Sequence, residues 1–278
     1  MDLFPSMPLA QWIDDFVDWL NNAEFIFDGI EAFISFLLLI LTESLGVIPE
    51  WIFIIALTVV TFIFGGRKTG LALFVLIGLF FIDNLNYWDD MILTLSLVLS
   101  ATMISVLIGV PIGIWMSKNN ILEQIIKPIL DFMQTMPAFV YLIPAVAFFG
   151  IGMEPGVVAS VIFAMPPTIR LTNLGIRQVS SEVIEASDAF GSTAGQKLWK
   201  VQLPMARTTI MAGINQTIML ALSMVVIASM IGASGLGEQV YYAVGRNQAG
   251  QGFEAGIAIV ILAIILDRIT QSIGSSSR

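Results

Sequence analysis

The sequence contains no cysteine and no histidine. That inventory excludes disulfides, thiol nucleophiles, Cys/His metal centres and acid–base catalysis by imidazole. The phosphate-clamping pattern G-x-x-x-x-G-K-[ST] is also missing. "GGRKTG" at Gly65 to Gly70 has the glycines but not the Gly-Lys-Ser/Thr that cradles phosphate, so the chain is not expected to hydrolyse ATP. Charge is scarce: 12% of the 278 residues are charged and 57% are hydrophobic, with a mean hydropathy of +0.89. Such values lie far from those of a soluble domain and imply an integral membrane protein.

Positive charge is absent from the first part of the chain. Asp2, Asp14, Asp15, Asp18, Glu24, Asp28, Glu31, Glu43 and Glu50 all precede Arg67, the first basic residue, while the remainder balances twelve acids against twelve bases. The whole net charge of -9 therefore belongs to the N-terminal segment. Acids where a basic n-region would stand argue against a cleavable signal peptide. An acidic segment repels anionic lipid and nucleic acid alike, so no nucleic-acid partner is expected and the segment is expected outside the cell.

Crossing a bilayer takes about 20 apolar helical residues. Met91 to Met116, Ala138 to Phe149 with its flanks, Gly156 to Thr168, Thr208 to Ile231 and Ala255 to Leu266 with its flanks meet or approach that length. Two shorter runs, Trp51 to Phe64 and Leu71 to Ile82, read as short spans and bring the number to seven. With the N-terminus outside, Arg67, Lys68, Lys118, Lys127, Arg177, Lys197, Lys200, Arg207 and Arg278 fall on the inner side, with Arg170 and Arg268 at inner ends of spans. Only Arg246 lies outside, as the positive-inside rule requires. The C-terminus is then cytoplasmic. "WIDDFVDWL" separates an apolar face from Asp14, Asp15 and Asp18, as an amphipathic helix does. "IEAFISFLLLILTE", bounded by Glu31 and Glu43, is expected to be too short to span and to lie interfacially or re-enter. The expected organisation is an acidic amphipathic and interfacial region at 1–47, two short spans at 48–87, and a transmembrane domain at 88–274 with a cytoplasmic loop at 180–206.

That loop is the longest polar stretch of the second half. Ser180 or Ser181 is placed to cap a helix with Glu182 and Glu185 in its first turn, where carboxylates suit the macrodipole. Gly191 should end it, Thr193 and Gln196 have the spacing of a capping box, and a second short helix should run until Pro204. Ala186 and Ala189 leave low relief; Val183, Ile184, Phe190, Leu198 and Trp199 are apolar anchors.

The pattern E-A-x(4)-G-x(9)-[IV]-x-L-P, carried by Glu185, Ala186, Gly191, Val201, Leu203 and Pro204, resembles the "EAA" loop of ABC importer permeases. Ser187 and Val201 replace the usual alanine and isoleucine. "LDFMQTMPAFVYLIPAVAFFGIGMEPGVVASVIFAMPPTIRLTNLGIRQV", "MAGINQTIMLALSMVVIASMIGASGLG" and "QWIDDFVDWL" extend the likeness. Over nearly the whole chain it is similar to the permease subunit of the glycine betaine/proline betaine osmoprotectant importers. The resemblance implies an all-α, polytopic helix bundle of the type I ABC importer permease kind in the bacterial cytoplasmic membrane. It implies a homodimer working with two ATPase subunits, which carry ATP and Mg, and an extracytoplasmic binding protein, with no cofactor in this chain. The ATPase-coupling residues would be Glu185, Ala186, Ala189, Gly191, Leu203 and Pro204.

A pathway needs polar groups at membrane depth and helices that change their packing. Gln134, Asn215 and Gln216 are amides in apolar surroundings, suited to bonding neighbouring helices or to lining a path. Phe139 and Tyr141, among the aromatics of the middle spans, suit a quaternary ammonium solute. Pro111, Pro128, Pro137, Pro144, Pro166 and Pro167 are expected to bend their helices. No ionised residue lies centrally in a long span, which argues against proton or sodium coupling. The segment "GASGLGEQVYYAVGRNQAGQG", read as a glycine-rich outer loop, contributes Gly232, Gly235 and Gly237 to a candidate outer gate. Alternatives are a permease for another polar solute such as an amino acid, a passive channel, or a membrane anchor.

Overall fold

The computed structural model describes residues 8–21, 24–64 and 69–275, which fold as thirteen α-helices with short 3-10 and π turns between them. They are α1 (Leu9–Asn21), α2 (Glu24–Gly46), α3 (Glu50–Phe64), α4 (Thr69–Asn84), α5 (Trp88–Lys118), α6 (Asn120–Thr135), α7 (Leu142–Phe149) and α8 (Met153–Arg177), then α9 (Ser181–Ala189), α10 (Ala194–Lys197), α11 (Leu203–Ala228), α12 (Leu236–Gly245) and α13 (Ala249–Ser275). Arg67, Lys68, Arg278 and Asp2 lie outside the described residues. An all-helical solution follows from the apolar composition, because in lipid every backbone polar group must be satisfied within its own segment or by a closed sheet.

Five helical stretches among the described residues are long and apolar enough to cross a membrane: Phe25–Gly46, Trp88–Lys118, Met153–Arg177, Ala194–Ile231 and Ala249–Ser272. The pair Asn120–Thr135 and Ala138–Phe149 makes a sixth if counted as one broken span. The shorter α3 and α4, of 15 and 16 residues, reach only about 22–24 Å. The expectation for the Glu31 to Glu43 segment is corrected in its length. Neither glutamate ends a helix, since Glu has good helix propensity, and the segment is part of the 23-residue α2.

The centre of the molecule is α8 packed between α5 and α11. These helices approach closely through small residues. A β-carbon at Gly113 would lie 2.7 Å from the Ile169 carbonyl oxygen, so only glycine allows α5 and α8 to meet there. Between α8 and α11 the buried hydroxyls of Thr168 and Thr217 bond at 2.8 Å, and Thr217 Oγ1 also donates to the Ala164 carbonyl at 2.8 Å. The main apolar core, with Leu79, Ile82, Met91, Leu97, Val98, Val157, Val225, Leu236 and Ile265 fully or almost fully buried, is drawn from α2, α3, α4, α5, α8, α11, α12 and α13.

Proline bends the chain in one place above all. The α6 axis turns by 107° into the Ala138–Phe149 segment across Met136–Pro137, where the pre-proline residue is extended at φ -68°, ψ 137°. The helices of Pro111, Pro128, Pro166 and Pro167 continue through their prolines, and Pro144 occupies the first turn of α7.

Candidate functional site: the α9–α11 elbow

Beyond α8 the chain leaves the bundle. α9 begins at Ser181, with Ser180 at its N-cap but without a side-chain cap bond, and Glu182 in its first turn. It ends at Ala189 with Phe190 as its C-cap, and the chain turns at Gly191, whose φ of +75° is left-handed and whose surroundings are open: a β-carbon there would meet nothing within 4 Å. Gly191 N donates to Asp188 O at 2.9 Å and Ser192 N to Ser187 O at 3.2 Å. Thr193 and Gln196 then form both halves of a capping box, Gln196 N to Thr193 Oγ1 at 3.3 Å and Thr193 N to Gln196 Oε1 at 2.9 Å. An ion pair of Lys197 with Asp188 and a Ser192 hydroxyl bond to Ser187 O at 2.7 Å close the bend from both sides.

The second arm differs from the sequence expectation. It does not stop short of Pro204. α10 passes through a π turn at Leu198–Gln202 into α11, so that 194–231 is one continuous 38-residue stretch. Proline has no N–H to offer the preceding turn and its ring needs room; the wider turn supplies that room, and Pro204 falls at the N-terminal edge of the next helix. The elbow is thus the bare end of a long helix, tethered by Leu203, half-buried, and by Ala206, buried against Gly175 of α8.

Glu185, Ala186, Ala189 and Gly191 are all exposed. Phe190 is 93% exposed and Trp199 69% exposed at the tip, where no span can cover them. Large exposed apolar groups beside a polar rim mark an interaction surface. Basic residues gather at the same end. Lys118 at the end of α5 donates to Gln202, and Arg177 at the end of α8 donates to the Met116 carbonyl at 2.9 Å.

The other candidate residues fall into separate places. Gln134 and Phe139 flank the 107° bend and are exposed. Tyr141 is buried, 4% exposed, among Leu142, Ala145, Ala159 and Met224, and its hydroxyl donates to the Met133 carbonyl. Asn215 donates to Asp267 Oδ1 at 2.7 Å, joining α11 to α13, while Gln216 beside it is exposed. Sequence reasoning passed over Asp267, which also accepts from Gln271 at 2.7 Å; an acid four residues before a glutamine on one helix was its available signal.

At the far end of the bundle the glycine-rich segment is corrected: it is no loop but largely α12, entered through 3-10 turn Ser229–Ile231. Gly232 (φ +91°) and Gly235 (φ +126°) make the entry turn, and Gly237 lies against the Val225 carbonyl. Leu236 N donates to Thr94 Oγ1 at 2.9 Å and Gln239 Nε2 to Asp90 Oδ2 at 2.9 Å, docking α12 on the start of α5. Its outward surface carries Tyr241 and Tyr242, with Arg246 5.4 Å from the Tyr242 ring centre. The hydrogen bond and charge of Glu238 hold the Tyr242 phenol above its ordinary pKa. Val240, Val244, Asn247, Gln248 and Phe253 line a cavity of about 350 Å³ between α12 and α13. Among the described residues no cluster of three or more His, Cys, Asp or Glu is placed to hold a metal ion.

Comparison with known proteins identifies the family and the fold. The model of the family described as "Binding-protein-dependent transport system inner membrane component" matches residues 105–275. The chain is 63% identical to the glycine betaine/carnitine transport permease protein GbuB of Listeria monocytogenes serotype 1/2a (strain 10403S), covering 100% of this chain and 99% of that one. It is 57% identical to the glycine betaine transport system permease protein OpuAB of Bacillus subtilis (strain 168), covering 98% and 96%. It is 46% identical to the glycine betaine/proline betaine transport system permease protein ProW of Escherichia coli (strain K12), covering 98% and 77%. In fold it is similar to a chain of the inward-facing MetNI methionine ABC transporter, with a TM-score of 0.63 at 21% identity over 68% of this chain and 95% of that one.

Proposed function

As the chain belongs to the family of binding-protein-dependent transport system inner membrane components, we propose that it forms the translocation pathway of an ATP-driven importer for glycine betaine or related quaternary-ammonium osmoprotectants. It is the permease and not the motor; ATP hydrolysis belongs to a separate ATPase subunit, and solute capture to a binding protein. Two copies of this chain assemble with two ATPase subunits. The substrate class rests on relatives whose names specify glycine betaine at 46–63% identity over almost the full chain.

The observation that carries the mechanism is the elbow. Exposed Ala186 and Ala189 offer a flat face, and exposed Phe190 and Trp199 offer anchors, on a bend that projects from the ends of α8 and α11. Closure of the motor on ATP pulls the two elbows together, and the pathway passes from inward- to outward-facing. Glu185, Gly191, Leu203 and Pro204 set the shape of that bend. At the bundle, Gln134, Phe139 and Gln216 are exposed and available to line the path, while Tyr141 and Asn215 hold its helices in register. α12 and its entry glycines, Gly232, Gly235 and Gly237, form the outer gate.

The elbow end is cytoplasmic, since it gathers Lys118, Lys127, Arg177, Lys197 and Lys200, whereas Arg246 stands at the opposite end. With α3, α4, α5, the broken α6–α7 pair, α8, α11 and α13 as crossings, and α2 kept on the outer side despite its length by the Ser35 hydroxyl that donates to Glu154 in the first turn of α8 at 2.8 Å, the chain crosses seven times and α1 with its acids lies outside.

The deciding experiment is uptake of radiolabelled glycine betaine into vesicles holding this chain, its ATPase and its binding protein, with and without ATP. Uptake that needs ATP and yields to competing betaines supports the reading. Equal flux without nucleotide would establish a passive channel, and competition by amino acids alone would establish the other importer class.

A further inference from the structure

We propose that Glu123 and Arg177 are positioning residues for transport, forming a polar latch that passes the elbow's displacement to the bent α6–α7 arm. This rests on the coupling role of the elbow and extends it to residues that no motif marks.

Arg177 occupies the last turn of α8, four residues before α9 begins. From there it reaches two other helices. Its Nη2 donates to the Met116 carbonyl at the end of α5 at 2.9 Å and to Asn120 Oδ1 on α6 at 2.8 Å, and stands 2.9 Å from Glu123 Oε2 as an ion pair; its Nε donates to Asn173 Oδ1 within α8 at 3.0 Å. Glu123 is equally engaged. Its Oε1 accepts from Asn173 Nδ2 at 2.9 Å and from Lys127 Nζ at 2.8 Å. The two side chains are 15% and 32% exposed, so their attraction is less screened than that of a surface pair. Asn119 fixes the start of α6 by accepting from Ile121 N at 2.9 Å and Leu122 N at 3.2 Å, which sets Glu123 in the first turn facing α8.

The rest of α6 is weakly held. Leu130 is its one buried residue, packed with Met116 and Ile169 and flanked by partly buried Leu122, Ile126 and Met133, whereas Ile121, Ile125, Ile129 and Phe132 are more than half exposed. Apolar contacts resist separation but not sliding; charge-assisted hydrogen bonds fix direction and register. The latch therefore determines whether α6 follows α8 when the elbow moves. Beyond α6 the 107° bend leads into α7, so a shift at Glu123 is carried to the segment that holds Phe139 and Tyr141. Arg170 and Asp131, 2.6 Å apart farther along the same two helices, are a natural control, being 36% and 66% exposed and correspondingly weak.

The test uses the assembled transporter, with ATPase and binding protein, in vesicles where uptake and ATP hydrolysis are read together. R177A, E123A and the double variant should each lower solute moved per ATP by about tenfold, within the roughly 5- to 150-fold span of ordinary coupling energies. The double variant should be no worse than the weaker single, because either change opens the same latch. D131A should stay within about twofold of wild type. E123Q, which keeps the shape and removes the charge, serves if the alanine variants fail to assemble, and should still lower the ratio. A wild-type ratio in E123Q or R177A, or losses that multiply in the double variant, would overturn the latch. A cysteine at Ala186 that crosslinks to the ATPase in these variants shows the elbow contact intact, so that failure of the latch and failure of the elbow are told apart.

Discussion

Replacing Gly191 by valine should uncouple ATP hydrolysis from uptake while leaving insertion of the chain unaffected. The left-handed backbone at φ +75° costs an L-residue about 1–2 kcal/mol, and a β-branched one up to about 3 kcal/mol. No atom stands within 4 Å of the new β-carbon, so the penalty is purely conformational and none of it is a clash with the bundle. Opposing it are the supports of the bend: a capping box worth about 1 kcal/mol, a Lys197–Asp188 pair of at most about 1 kcal/mol with Asp188 half exposed, and a Ser192 to Ser187 bond of about 1 kcal/mol. Strain and support are of one size, so valine shifts a sizeable share of elbows out of their bend. Each 1.4 kcal/mol of that shift is tenfold in population, and a loss of about tenfold in solute moved per ATP is expected. Asparagine tolerates the left-handed region, so the ratio should fall in the order glycine, asparagine, alanine, valine. Co-reconstituted vesicles assayed for uptake and phosphate release give that ratio. Wild-type coupling in G191V, or an asparagine variant as damaged as valine, would refute the argument.

Single cysteines at Ala186 and Ala189, in a chain with no native cysteine, should crosslink to the ATPase and resist an impermeant thiol reagent added outside intact cells. One at Asp15 should react with that reagent; protection there with exposure at Ala186 would reverse the orientation. N215A removes the donor to Asp267 and should lower stability by about 1–3 kcal/mol, read as a lower melting temperature in detergent, with an unchanged melt excluding the α11–α13 tie. G237A forces a methyl onto the Val225 carbonyl and should cost about 1–3 kcal/mol, whereas G245A on the same helix meets open space and should cost little; equal melts would contradict the close docking of α12.

The features legible in the sequence are those set by short-range chemistry. Gly191 and the Thr193–Gln196 box occupy the positions their conformational preferences demand, because an exposed bend has few tertiary forces to override them. The long apolar runs identified spans for the same reason, since the bilayer rewards hydropathy directly. The misreadings arise where packing decides. Glycines at 232, 235 and 237 suggested a loop, yet Gly232 is pressed against Ile151 and Gly152, and Gly235 and Gly237 let α12 press against α5 and α11, a contact between residues as much as 149 positions apart. Pro204 suggested a stop, but a π turn absorbs it within a helix anchored by Ala206 and Gly175. Glu31 and Glu43 suggested boundaries because a carboxylate is costly in lipid, although it costs a helix nothing. Arg177 and Glu123 stand 54 positions apart, and only the i,i+4 pair of Glu123 with Lys127 hinted at a polar hub.

The continuity of α10 with α11 constrains how the stroke travels. A force on the elbow reaches α11 through an unbroken helix and α8 through the three residues that precede α9, so both central helices receive it together. They cannot slide past one another. Thr168 and Thr217 are fully buried and bonded to each other, and a β-carbon at Gly213 would stand 3.1 Å from the Pro167 carbonyl. Interiors packed this closely switch between discrete arrangements and do not deform continuously. α5 joins the same body through Gly109 and Gly113, which leaves the boundaries of that body as the places where motion is cheap. Foremost among those boundaries is the α6–α7 arm, bent at Pro137. The proposed importer would move α5, α8 and α11 as one lever and open and close its pathway at the edge of that lever, beside the 107° bend that Gln134 and Phe139 flank.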